Sequence, residues 1–275
     1  MGRLQRTWQL GKVSWHVLRS DKTLAVFPVL TAVAAIVVVA VFGGLIAALG
    51  IDSTADGDAL APIGWVLIVA LYVVTAIVVT FFQVALCAGA NERLDGRDAT
   101  VGGAIGAAGA HLPAVIGWRL VQGIVSAILS ALEDRGILGD IVASIAGTAW
   151  RIATFLALPV IAVEGTGPVT SIKRSGTLLK GTWGENVFGQ AGFGLLGLVA
   201  SLPGIALIVL GIAVVWPFVV VGILWIVVVS VVVSAMTGIY KTALYRYATG
   251  AGTPAGFAQT DLADAFVAKP AGGRR

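Results

Sequence analysis

Four stretches of this chain, 23–49, 63–90, 187–210 and 217–240, contain no charged residue at all. Each is long enough for the ~20 helical residues that cross about 30 Å of hydrocarbon. A backbone of that length tolerates lipid only when its own helix satisfies every N–H and C=O, so the runs predict membrane-spanning helices. Two more apolar runs, 112–132 and 137–163, hold one arginine each, Arg119 and Arg151. The composition agrees: 58% of the 275 residues are hydrophobic and 12% charged, where soluble domains carry about 25% charged residues. One soluble core could not bury that much apolar surface. The expected fold is all-α: a polytopic membrane protein of six transmembrane helices in three hairpins. It forms a single membrane domain over 1–247, followed by a flexible Gly/Ala/Pro-rich tail over 248–275.

Charge placement gives the orientation. Fifteen of the 18 Lys and Arg fall before the first run, in 91–100, in 165–184 or after 240. Only Arg135 lies in a connector of the opposite side, and 51–62 there carries Asp52, Asp56 and Asp58 without a base. By the positive-inside rule, both termini are expected in the cytoplasm. Abundant Gly, Ala and Val, with tryptophan, suit a bacterial plasma membrane.

Two basic segments predict helices lying in the headgroup plane. Over 3–19, Leu4, Trp8, Gly11, Trp15 and Leu18 recur at helical steps, with Arg3, Arg6, Lys12, His16 and Arg19 around the rest of the circle. The apolar run that follows is too long for the core of a cleaved signal. In the second, Pro168 opens a helix whose expected apolar face is Val169, Ile172, Leu179 and Trp183, with Lys173, Arg174 and Lys180 off it. The interfacial lipid-facing residues are then Trp8, Lys12, Trp15, Arg19, Lys173, Arg174, Lys180 and Trp183. Attraction to anionic lipid and plain interfacial anchoring both account for them.

Sites for chemistry are few. Phosphate-loop, zinc-helix and nucleophile-elbow motifs do not occur. A single cysteine, Cys87, excludes an internal disulfide, and two histidines make a Cys/His metal site a poor reading. Cys87 reads as a small apolar filler, and His16 and His111 as packing groups near the cytoplasmic face. The chain is expected to be no enzyme, to hold no metal or cofactor and to bind no nucleic acid.

The sharper signal is a pair of polar stripes. Arg119, Gln122, Ser126, Ser130 and Glu133 follow steps of three and four along 112–132 and its end. Asp140, Ser144, Thr148 and Arg151 do the same along 137–163. The tight turn between makes the helices antiparallel neighbours, so the stripes can face each other or one cavity. Arginine in a membrane costs roughly 2.5–3.5 kcal/mol on insertion scales and normally faces protein or water. Arg119 is near enough to a helix end to snorkel. Arg151 is not, and its candidate partners are a carbonyl, a hydroxyl such as Thr148, water, a lipid phosphate or a neighbouring subunit. Two accounts stay open: a polar path or anionic-ligand site of Arg119, Gln122, Ser126, Ser144, Thr148 and Arg151, or polar glue between helices.

The layout repeats in three units, about 1–90, 91–165 and 166–247, each running polar or small-residue segment, span, short loop, span. Gly102, Gly106 and Ala110 fall on one face of the small-residue segment 101–110. The stretches SWHVLRSDKTLAVFPVL (14–30), FFQVALCAGANERLDGRDATVGGA (81–104) and KRSGTLLKGTWGENVFGQAG (173–192) resemble an uncharacterised prokaryotic membrane family, domain of unknown function 6159. That resemblance implies the multi-pass topology and no activity. The stretch TALYRYATGAGTPAGF (242–257) resembles the membrane domains of some glycerophosphodiester phosphodiesterases, although their catalytic barrel has no counterpart here.

The leading functional expectation is a non-enzymatic structural or assembly component, homo-oligomeric, organising membrane lipids or an unidentified membrane partner. The alternative is a small transporter or channel for an anionic or lipid-like solute.

Overall fold

A computed structural model describes residues 22–49, 62–182, 189–213 and 215–251. Among these it contains nine helices: α1 (Lys22–Ala48), α2 (Pro62–Leu94), α3 (Val101–Ala110), α4 (Leu112–Glu133), α5 (Ile137–Ala153), α6 (Ala157–Glu164), α7 (Pro168–Thr182), α8 (Gly189–Ala213) and α9 (Pro217–Ala248). The protein is thus an all-α polytopic membrane protein. Five helical segments are long and apolar enough to cross a bilayer: α1, α2, α4, α5 with α6, and α9. The expected fifth span is also helical, as α8, whose described apolar stretch is Gly197–Ile212. The interfacial helix expected over 3–19, with Trp8, Lys12, Trp15 and Arg19, lies outside the described residues. So do Trp183, the side chain of Lys180, the loop 50–61 and the tail beyond 251.

α1 packs on α2, α4 on α5 and α8 on α9, the three expected hairpins. α2 and α9 hold them together: α2 also meets α3, α4, α6 and α9, and α9 also meets α1, α6 and α7. Burial is uneven along the helices. Leu24 and Phe27 at the start of α1, Val84–Ala90 late in α2, Val115 and Trp118 early in α4, and Ile239, Tyr240 and Thr242–Arg246 late in α9 are buried together with most of α6. All belong to one end of the bundle, here named the basic end because Arg93, Arg97, Lys173, Arg174 and Arg246 occupy it. Toward the other end, large apolar side chains such as Ile36, Val69, Ile124, Leu138 and Leu224 are exposed, as a lipid-facing surface requires.

Arg246 fastens the basic end. Its Nη1 donates to Asn91 Oδ1 at 3.0 Å and its Nη2 to the Asp95 carboxylate, joining the ends of α9 and α2. The Arg246 guanidinium hydrogen-bonded to Asp95 holds that carboxyl below its ordinary value of 3.8.

Two expectations need correction. The run 137–163 is not one helix: α5 ends at Ala153 and α6 begins at Ala157. Pro159 is the reason, because its ring would clash with the carbonyl of residue 155 in a continuous helix and it has no N–H to offer it. The Leu156 N–H, which would otherwise lack a partner, donates to Ser175 Oγ of α7 at 3.1 Å. α9 does not stop near 240 but runs on to Ala248.

On α3, Gly102, Gly106 and Ala110 share an exposed face, and Ala104 and Ala108 are buried. On α7, Val169 is exposed, whereas Ser171 and Ser175 are fully buried beside Leu178 and Leu179. Both buried hydroxyls have partners: Ser171 Oγ donates to the Gly167 carbonyl at 3.0 Å, and Ser175 Oγ accepts the Leu156 N–H at the α5–α6 break. A buried hydroxyl with a backbone partner costs little.

Candidate functional site

Helical spacing assembles the site from four directions. Arg119 and Gln122, three apart on α4, share a face, as do Thr80 and Gln83 on α2. Arg151 closes the last turn of α5, and Thr154 follows it in the break. Lys241 projects from the stretch of α9 that extends past 240. These side chains line one cavity of about 220 Å³, walled by Trp118, Phe155 and Leu158. Trp118 stacks on Trp150, with ring centroids 6.4 Å apart, and so pins α4 to α5 at this level.

Each cation is held differently. Arg119 Nε donates to the main-chain carbonyl of Ala76 on α2 at 2.7 Å. That oxygen also accepts from Thr80 Oγ1 at 2.9 Å. The guanidinium is therefore turned toward α2 rather than drawn out along its own helix, and four of its five N–H groups stay available. Arg151 Nη2 donates to Thr148 Oγ1 at 3.2 Å, so one of the partners expected for it is in place. Lys241 Nζ lies 5.2 Å from the centre of the Phe155 ring, within cation–π range.

Among the described residues no Asp or Glu lines the cavity, and none pairs with Arg119, Arg151 or Lys241. The acids of this region are engaged elsewhere. Glu164 receives Arg174 Nε at 3.1 Å and the Tyr245 hydroxyl at 2.9 Å, while Asp95 receives Arg246. Three bases around one space repel one another and are relieved by an anion. The planar guanidinium fork can bond two oxygens of a carboxylate or a phosphate at once.

The stripes contribute only their basic-end portions. Arg119, Gln122 and Arg151 meet in the cavity, whereas Ser126, Ser144 and Thr148 are exposed on the helix surfaces and do not line it. Lys173 is exposed, and Arg174 spends its charge on Glu164. Cys87 is buried, as a filler should be. His111 packs so close to Gly165 that a Cβ there would lie 2.5 Å from its ring.

Sequence reasoning missed Lys241, Gln83, Thr80 and Thr154. Gln83 was visible as the lone amide in 63–90. Lys241 follows directly on the apolar run 217–240 and so reads as a loop base, although α9 continues through it to Ala248.

A family model described as "Family of unknown function (DUF6159)" matches residues 62–256. The match takes in the 81–104 and 173–192 stretches and all residues lining the cavity; 14–30 lies before it. No curated protein and no solved structure matches the chain, so the likeness of 242–257 to phosphodiesterase membrane domains gains no support.

Proposed function

The chain belongs to the family of unknown function DUF6159, and from that premise we propose a non-enzymatic multi-pass membrane protein that handles an anionic or lipid-like solute. The observation that carries this reading is the convergence of Arg119, Arg151 and Lys241 on one cavity where, among the described residues, no carboxylate joins them. Charged groups in a membrane domain are costly, and such groups typically mark a ligand path or site. The charge asymmetry of the connectors supports a plasma-membrane protein with both termini in the cytoplasm. The cavity then belongs to the cytoplasmic leaflet.

The test uses the full chain in phosphatidylcholine nanodiscs, with phosphatidic acid as the probe and native mass spectrometry as the readout. Wild type should retain the probe. Arg119→Gln, Arg151→Gln and Lys241→Gln should each weaken retention about tenfold or more, the equivalent of 1.4 kcal/mol. Undiminished retention by a folded triple variant would remove the reading.

A homo-oligomeric assembly role, organising lipid or a membrane partner, is the second reading. It is supported by the exposed apolar faces remote from the basic end, which would also suit contact between copies. The mass of the chain released from native membrane patches without added detergent separates the two. A defined oligomer or constant partner favours assembly, and a monomer with one anion favours solute handling.

A further inference from the structure

We propose that the solute is an anionic lipid of the basic-end leaflet, with its headgroup among Arg119, Arg151 and Lys241 and one acyl chain in the groove between α1, α2 and α9. This inference rests on the anion reading above and adds the chain.

The first observation is a sequence of three adjoining spaces. Beside the cationic cavity lies a second, of about 160 Å³, which shares Gln83, Leu158 and Lys241 with it. Beyond that lies a groove of about 310 Å³ lined mostly by apolar side chains, among them Ala32, Val79, Phe82 and Val227. Gln83 borders all three spaces. Helical geometry explains why: Gln83 lies one turn from Val79 on the groove side and one turn from Thr80 on the cationic side.

The second observation is a gradient along one stripe of α9. Val227 and Ser230 line the groove, Ser234 lines both the groove and the middle space, Thr237 the middle space, and Lys241 the middle and cationic spaces. The steps of three and four keep these residues on one face. The stripe therefore passes from aliphatic through hydroxyl to ammonium over ~21 Å of helix axis.

A lipid leaflet has the same order, with ~15 Å of hydrocarbon beneath its headgroups. A chain lying on this stripe would point toward the bilayer centre with its head at the basic end, as in the surrounding leaflet. The lipid would enter sideways, without inversion. A small free anion would need only the cationic cavity and would leave the gradient on α9 without a use.

The experiment compares phosphatidic acid with glycerol 3-phosphate, its head alone, on the full chain in phosphatidylcholine nanodiscs. Native mass spectrometry reads the lipid, and equilibrium dialysis at millimolar concentrations reads the head. Two variants fill the groove from opposite walls, Ser230→Trp on α9 and Ala32→Phe on α1; the second serves if the first fails to fold. The result expected is at least tenfold weaker retention of phosphatidic acid by a groove variant, with any binding of glycerol 3-phosphate unchanged. Wild-type retention by both folded variants would overturn the chain placement while leaving the anion cavity standing. Glycerol 3-phosphate binding as tightly as phosphatidic acid would do the same. Retention of phosphatidic acid no better than phosphatidylcholine, with no binding of glycerol 3-phosphate, would overturn the cavity reading as well.

Discussion

Arg119 on α4 gives its Nε hydrogen to the main-chain oxygen of Ala76 on α2, at 2.7 Å. A backbone carbonyl thus orients this base without neutralising it. Replacing Arg119 with Leu removes a charge-assisted hydrogen bond worth about 1.5–3 kcal/mol. It also removes an intramembrane arginine that costs about 2.5–3.5 kcal/mol. The two terms nearly offset, so Arg119→Leu should unfold within about 1–2 kcal/mol of wild type while losing anion retention. Denaturation in detergent beside the nanodisc assay checks both halves, and a large loss of stability would show that Arg119 is chiefly structural.

The α5–α6 break depends on two residues far apart in sequence. Ser175→Ala leaves the Leu156 N–H without its acceptor in a buried place, at a cost of about 1–3 kcal/mol. Pro159→Ala permits the helix to continue, so that Leu156 can bond within it. The cost of Ser175→Ala should therefore shrink in the Pro159→Ala background, with a coupling of at least ~0.5 kcal/mol in a double-mutant cycle. Strict additivity would mean that Ser175 does not serve the break.

Gly165 closes α6 in the left-handed region, at φ 63°, and a Cβ there would meet the His111 ring at 2.5 Å. Gly165→Ala should destabilise by ~1–2 kcal/mol for the backbone alone, plus the clash. Adding His111→Ala should recover the clash and leave the backbone portion, as judged by thermal unfolding of wild type, the two single variants and the double variant.

The Asp95–Arg246 pair makes a pH-dependent clasp. Because Arg246 lowers the Asp95 pKa in the folded chain, the pair's contribution is full above the ordinary value of 3.8. It is lost as pH falls from there through the lower folded value. Subtracting the stability profile of Asp95→Asn from that of wild type should give a difference that is flat at neutral pH and declines only below pH 3.8. A difference that varies between neutrality and that point would assign the acid sensitivity to another group.

The spans, the hairpin pairing and the meeting of Arg119, Gln122 and Arg151 were legible because each rests on a local rule: absence of charge, a tight turn, or helical spacing. What escaped depends on pairings distant in sequence. Pro159 warned of a break, but a proline alone does not say whether a helix kinks or stops; Ser175, supplied by α7, completes the stop. The face that α7 turns to the protein was not legible, because Ser171 and Ser175 are polar by sequence and are buried with their hydroxyl groups bonded. Which residues of α3 are buried was not legible, because small residues allow contact without ensuring it: Ala104 and Ala108 are buried, and nothing lies near Gly102 or Gly106. Lys241 escaped because hydropathy marks where lipid ends, and α9 outlasts the lipid.

The concentration of buried side chains at one end has a mechanical consequence. The bundle is stiff where α2, α6 and α9 interlock and compliant where its helices meet lipid. A thicker or thinner bilayer can be met by tilting the compliant arms, which act as levers about a fixed root. Lying at that root, the three bases would keep their spacing while the arms adjust, so the grip on a headgroup would be insulated from the elastic state of the membrane.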